Sequence, residues 1–377
     1  MDDAAHADRV DRLQLIRSAN IGPVSYARLL KSHGSASSAL KALPELARRG
    51  GPRAPRIADR QSVLDEMAMV AKLGAQYLFR DDPAYPVLLS ELDDAPPVLI
   101  CRGDLSLLER PTVAIVGARN ASAASCRFAR DLANDLGQKG VAVVSGLARG
   151  IDTAAHDGSI NQGTIGVIAG GTDIYFPPEN QKLQEAIADR GLLLSEQPPG
   201  TEPRARHFPY RNRIIAGLAR GTVVVEAAPK SGSLITARLA GEAGRQVMAI
   251  PGSPIDPRSR GCNSLIRDGA VLIQCAEDVM ELVRPFDERI EEARQSLHVK
   301  TPARSNDKGE PVRVPAVAKG DRHTVEALLS STPVAIDELV RQTRMPLSDL
   351  QLALLELELS GRLTRSAGAR VSLAPLN

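Results

Sequence analysis

Long apolar runs are missing from this chain: no stretch approaches 18 residues, and the start Met1-Asp2-Asp3 lacks the basic region of a secretory leader. Neither a membrane span nor a signal peptide is expected, and the chain reads as soluble and cytoplasmic. Cysteine is scarce as well. Cys101, Cys126, Cys262 and Cys275 form no CxxC and have no histidine at ligand spacing, so no disulfide framework and no metal site are expected. A surplus of charge is also lacking. With 47 basic and 45 acidic residues the formal net charge is +2, so local clusters carry the information and the total does not. Two nucleotide signatures are absent. No Gly-Lys dipeptide occurs, which excludes a Walker A loop. After Gly117, where GxGxxG would run, the chain reads Ala118-Arg119-Asn120-Ala121, and the next strand ends at Ser145-Gly146 without an acid for a ribose hydroxyl. NAD binding is therefore not expected, and no cofactor is assigned.

What is present divides the chain. At 377 residues, 43% apolar and 24% charged, it is globular and long enough for two or three domains. Residues 1–75 read as a helical domain. Leu13, Ile16, Ile21, Val24, Leu29 and Leu30 recur near helical spacing, broken by Gly22-Pro23 and Gly34. The stretch SANIGPVSYARLLKSHGS has the look of a helix–hairpin–helix or SAM-like unit. It serves either phosphate binding through helix amides or packing alone. Residues 76–284 form the body. Two β-type runs, AQYLFRDD and PPVLICRGD, lead into it. Seven short apolar runs follow, VAIVG (113–117), VAVVSG (141–146), TIGVIAGG (164–171), LLLSE (192–196), TVVVEA (222–227), QVMAIPG (246–252) and AVLIQ (270–274), with helical stretches between them. That alternation predicts an α/β fold: an extended Rossmann-like, doubly wound, mostly parallel sheet covered on both faces. Residues 285–320, with several prolines, read as a linker. Residues 321–377 carry three helical patterns and a hairpin, the order of a winged helix.

Ligands of such sheets sit beyond the C-terminal strand ends. Three segments fall there: SGLARGIDTAAH (145–156), HFPYRNRIIAGLA (207–219) and PKSGSLITARLA (229–240). Each places small residues between a strand and a helix, where amides converge on an anion. Gly117 and Arg119 follow the first strand of the sheet, and the Arg119 guanidinium either forks onto a phosphate or pairs with an acid. Ser145 and Gly146 open the first segment, Asp152 or Thr153 caps its helix, and His156 reads as hydrogen-bonded structure. Ser231, Gly232 and Ser233 precede a helix, as phosphate ligands or as ordinary caps. Residues 203–225 hold five arginines and no acid. Arg211 and Arg213 flank Asn212 at a helix start, so at most one of the two arginines faces the cleft. Phe208 either stacks a base or packs inward.

The ordered motifs VAIVGARNAS, SGLARGIDTAAH, GVIAGGTDIYFPPEN, LLSEQPPGT, FPYRNRIIAGLA, SGSLITARLAGEAGRQVMAIPG and GCNSLIRDGAVLI resemble the bacterial DNA-processing protein A family (DprA, also called Smf) over nearly the whole chain. The resemblance implies a non-enzymatic single-stranded DNA binder of natural transformation. Such a protein protects incoming strands, helps load the RecA recombinase onto them and is a homodimer through its Rossmann cores. It also implies Arg119 as a principal phosphate contact. Ser145, Gly146, Arg211, Ser231, Gly232 and Ser233 would line the same pocket, and Phe208 would approach a base. Ala118 departs from the Ser or Thr often found there, which removes a hydroxyl and leaves the amide.

Two rival functions remain. A Rossmann-like nucleotide phosphoribohydrolase needs a free cleft carboxylate, and Glu226, Glu196, Asp152 and Asp173 are the candidates. A duplex-binding winged-helix regulator needs a basic third helix. Here LSDLQLALLELELSG carries Asp349, Glu356 and Glu358, which favours protein contact.

Overall fold

A computed structural model describes residues 3–50, 56–283, 325–330, 334–343, 345–347, 349–350, 353–354, 363–366 and 370–373. The chain divides into two compact units, 1–297 and 298–377. The expected linker 285–320 lies outside the described residues.

In the first unit four helices lead: α1 (Asp3–Arg17), α2 (Pro23–His33), α3 (Ala36–Gly50) and α4 (Arg60–Lys72). The breaks fall where Gly22-Pro23 and Gly34 interrupt the apolar spacing: Gly22 is the N-cap of α2, and Gly34, at φ 77°, ends it. Then come β1 (Gln76–Phe79), α5 (Val87–Ser90), β2 (Val98–Gly103), β3 (Thr112–Val116), α6 (Ala123–Gln138), β4 (Ala142–Ser145), α7 (Ile151–Ser159), β5 (Thr164–Ile168), α8 (Gln181–Arg190) and β6 (Leu192–Ser195). The unit closes with α9 (His207–Leu218), β7 (Gly221–Val224), α10 (Gly232–Glu242), β8 (Gln246–Ala249), α11 (Arg260–Arg267), β9 (Val271–Leu272) and α12 (Ala276–Val283).

The nine strands form one sheet in the order β1-β2-β6-β5-β4-β3-β7-β8-β9. From β6 to β9 every pairing is parallel, while β1 and β2 run antiparallel at one edge. The period of two along β3 shows why both faces are covered. Ala114 and Val116 join the core beneath α9 and α10 with Ile215, Leu218 and Ala237. Val113 and Ile115 join the opposite core with Leu132 and Leu136 of α6 and Ile151 of α7. Sequential strands step outward from β3 through β4 to β6, and the chain then returns to place β7 on the other side of β3. The crevice at this reversal, beyond the ends of β3 and β7, is where a doubly wound sheet leaves room for a ligand. At the far edge, α1 and α4 cover β1 and β2 through Val10, Leu13, Val63, Phe79 and Val98.

His156 is fully buried in α7, its Nδ1 2.7 Å from Thr164 Oγ1. Burial, aided by Arg211, holds the imidazole down at about 3. An unfolded histidine takes its proton near pH 6.5, so this group stabilises the fold fully above 6.5 and less as pH falls towards 3. Between pH 7.5 and 5 its share of the loss is about 2 kcal/mol. His156→Gln should flatten the pH dependence of guanidinium unfolding by that amount relative to wild type. Asp152 and Glu196, whose carboxyls are raised chiefly by burial, act in the opposite sense, so the comparison is between the two proteins.

In the second unit, Val325, Leu329, Ile336, Leu339, Leu350, Leu354 and Val371 form a small core. The strands β10 (Val334–Ala335), β11 (Leu363–Ser366) and β12 (Arg370–Leu373) pair in the order β10-β12-β11, beside the helix Ile336–Thr343. This is a winged-helix arrangement. Leu350 and Leu354 are core residues here and Leu347 is exposed, while Glu356, Glu358, Leu352, Leu355, Leu357 and Leu359 lie outside the described residues.

Candidate nucleic-acid interface

The crevice holds a cavity of about 680 Å³, walled by the end of β3, the start of α9 and the 228–236 turn into α10. Helical spacing sets the α9 wall. Phe208, Arg211, Asn212 and Ile215 fall at i, i+3, i+4 and i+7, and all four line the cavity. Arg213, two residues from Arg211, turns the other way. Its Nη2 lies 2.7 Å from both oxygens of Glu196, with Asp94 3.5 Å from Nε, and it is buried. As a site residue Arg213 is therefore corrected: its charge belongs to an internal ion pair.

Arg211 forms the floor. Nη1 donates to the Val167 carbonyl at 3.2 Å, and its Nε finds no partner among the described residues. Burial, with Arg119 adding to the effect and Asp152 opposing it, pushes this guanidinium down to about 10, so it stays charged at neutral pH. Gly146 is dictated by this arrangement, because a Cβ there would overlap the Arg211 guanidinium. Gly117 answers a similar demand: a Cβ would lie 2.6 Å from Ile151 Cγ1 at the start of α7.

Arg119 is exposed, makes no ion pair among the described residues, and stands 5.3 Å from the centroid of Phe208, with Arg211 at 6.0 Å from the same ring. Phe208 is half-buried between these cations and the tilted ring of Phe176, whose centroid is 5.6 Å away. Across the cavity, Ser231 Oγ and Ser233 Oγ bond each other at 2.8 Å, and no side chain caps the first-turn amides of α10. Those amides carry the positive end of an eleven-residue helix. A Cβ on Gly232 would meet nothing within 4 Å, so this glycine leaves room to the cavity and not to the fold.

Three expectations are corrected. Ser145 is fully buried and its hydroxyl donates to the Ile115 carbonyl at 2.7 Å, tying β4 to β3 instead of facing the cavity. The Ala118 amide is engaged too: it donates to the Glu226 carbonyl at 2.6 Å and extends the β3–β7 ladder. Asp152 does not cap α7, whose N-cap is Gly150 at φ 74°. Its carboxylate reaches back instead to the amides of Gly146 and Ala148 at 3.2 and 3.4 Å. The converging amides of this loop thus do meet an acidic group, and it is the protein's own carboxyl. Burial raises the Asp152 carboxyl, while Arg211 and the two amides pull it down.

Sequence reasoning missed Lys230 and Phe176. Lys230 lines the cavity from a turn in which it adopts φ 72°, a left-handed conformation uncommon outside glycine. Its signal was the PKSGS turn itself. Phe176 stood in the quoted run IYFPPEN without any sign that the loop after β5 folds over Phe208.

The family described as DNA recombination-mediator protein A matches residues 76–284, with a DprA-like N-terminal HHH domain at 6–69 and a DprA winged helix domain at 309–369. Protein Smf of Synechocystis sp. is 34% identical over 377 residues, spanning 93% of this chain and 95% of that protein. The DNA processing protein DprA of Streptococcus pneumoniae is 48% identical over 201 residues, 53% of this chain and 71% of that one. The X-ray structure of DprA from Streptococcus pneumoniae superposes with a TM-score of 0.62 at 36% identity, across 73% of this chain and 96% of that chain. A structure of DNA processing protein A from Helicobacter pylori, described for its single-stranded DNA binding mode, gives 0.51 at 30% identity, across 58% and 97%. Three matching segments in order, together with a relative aligned along nearly its whole length, place this chain in the DNA-processing protein A (DprA/Smf) family.

Proposed function

We propose that this chain binds single-stranded DNA at the strand-end cavity, without sequence preference, to protect incoming strands in natural transformation and to help load RecA. One observation carries the binding step. Arg119, Arg211, Lys230 and the uncapped amides of α10 converge on one cavity that has an aromatic side chain at its edge. Phosphates would take the cations and amides, and Phe208 a base. Gly117, Gly146 and Asn212 shape the wall, with Ser231, Gly232 and Ser233 opposite. Delivery to RecA and pairing of two copies rest on family likeness, with no residue assigned to either surface. The second unit is read as a protein-contact module.

Salt tests the electrostatic part. Each phosphate held on a single strand contributes a slope of about 0.7 in log K against log salt, so anisotropy titrations should give a slope above one. A duplex of equal length should compete poorly, and a long oligonucleotide should bind far more tightly than a short one if two copies share it. Equal affinity for long and short strands would count against pairing. Gly232→Ala offers a local check. It meets no protein atom, so it should leave thermal stability within about 0.5 kcal/mol while weakening binding by narrowing the cavity.

The hydrolase reading is disfavoured by how its carboxylates are engaged. Glu226 accepts from Ser122 and Ser125, Glu196 holds Arg213, and Asp173 accepts from the Gly200 amide. Asp152 lines the cavity, yet its Oδ2 is turned to loop amides. Incubation with AMP or CMP should release no free base.

A further inference from the structure

Glu226 stands two residues beyond the end of β7, is 5% exposed and forms no ion pair among the described residues. A carboxyl group is seldom buried without a cation beside it, so its other partners must explain its place. We propose that Glu226 is a positioning residue for the DNA contact: it pins both feet of the 117–122 loop and so fixes where Arg119 stands before a strand arrives. This role builds on the single-stranded DNA reading above and adds to it a residue that acts only through Arg119.

One foot is held by backbone. The Ala118 amide donates to the Glu226 carbonyl at 2.6 Å. The other foot is the start of α6, held by the side chain. The Ser122 amide lies 3.2 and 3.3 Å from the two carboxyl oxygens, and the Ser122 hydroxyl donates to Oε2 at 2.7 Å. Ser125 Oγ donates to the same oxygen at 2.6 Å. Ser122 is also the N-cap of α6 and accepts from the Ser125 amide at 3.1 Å, so its hydroxyl serves as donor and acceptor. In a capping box, a glutamate at the third helical position accepts from the N-cap amide. Here Ser125 holds that position, and the carboxyl comes from the end of the neighbouring strand, 104 positions along the chain.

Arg119 sits in the span between these feet. On its other side the loop meets α7. The Ile151 amide donates to the Ala118 carbonyl at 3.3 Å, and a Cβ on Gly150 would run into the carbonyls of Ala118 and Arg119. The backbone that carries Arg119 is thus braced from both sides, while its side chain is exposed and has no ion pair among the described residues. Beyond its contact with the Phe208 ring, the guanidinium is aimed by its loop. A loop released from Glu226 would have to be ordered at each capture, and ordering one residue's backbone is equivalent to about 5- to 30-fold in affinity.

A double-mutant cycle separates aiming from mere support. By anisotropy, Glu226→Ala should bind a labelled single strand about 5- to 30-fold more weakly than wild type. In an Arg119→Ala background the same change should weaken binding by less than about twofold, because the group it positions is gone. Glu226→Gln keeps an acceptor oxygen for Ser122 and should stay within about threefold of wild type. Should Glu226→Ala not fold, Ser122→Gly carries the same cycle: it still caps α6 but offers Glu226 no hydroxyl, and the loss should be about threefold. Equal losses with and without Arg119, or wild-type affinity in Glu226→Ala, would overturn the positioning role and leave DNA binding through Arg119 intact. A loss in Glu226→Gln as large as in Glu226→Ala would overturn it as well. Binding that ignores Arg119, or no binding by wild type, would remove the strand-end DNA reading and this role together.

Discussion

Replacing Arg119 with alanine should lower affinity for single-stranded DNA by about 10- to 150-fold, the equivalent of one charge-assisted contact worth about 1.5–3 kcal/mol. The slope of log K against log salt should fall by about 0.7, because one phosphate loses its counter-charge. The fold should not notice. Arg119 is exposed and makes no ion pair among the described residues, so unfolding free energy should stay within about 0.5 kcal/mol of wild type. Fluorescence anisotropy of a labelled oligonucleotide at two salt concentrations reads both numbers. Unchanged binding would move the site away from the strand ends, with the α1–α2 hairpin as the next place to look.

Arg213→Ala should do the opposite. It removes the partner of Glu196, a carboxylate whose side chain is only 18% exposed, and leaves that charge buried with its Arg213 contact gone. Breaking such a pair costs about 3–5 kcal/mol. For a unit of this size that lowers the unfolding midpoint by roughly 5–8 °C. Calorimetry checks the shift, and binding measured well below the midpoint should be altered far less than in Arg119→Ala. Replacing both partners by leucine should recover much of the loss, since it is the orphaned charge that costs most. Two arginines in one short run are thus separated by experiment, one acting on the ligand and the other on the fold.

The sheet was legible because buried parallel strands leave short apolar runs, and each predicted run from VAIVG to AVLIQ overlaps a strand. Helical spacing also limited Arg211 and Arg213 to one cleft residue between them, although only the ends of β5 and β6 decide which. Ser145 was misread for a different reason. A serine at a strand end looks the same whether its hydroxyl meets solvent or the carbonyl of the neighbouring strand, and that depends on the β3–β4 register. Ala118 poses the same problem for an amide. Phe176 was out of reach because no local pattern brings the loop after β5 onto α9. The identity of the acceptor in the 146–148 loop was hidden as well. Converging amides are readable from glycines and small residues, but whether a phosphate or a side chain fills them is not.

That internal carboxyl has a kinetic consequence. With Asp152 already seated among the amides of Gly146 and Ala148, the loop beside the cavity needs no visitor to become ordered. The ordering entropy that other anion sites lose at the moment of capture was settled here when the chain folded. Arrival of a strand should then be governed by diffusion and electrostatic attraction, with an association rate that drops with ionic strength and shows no slow conformational phase.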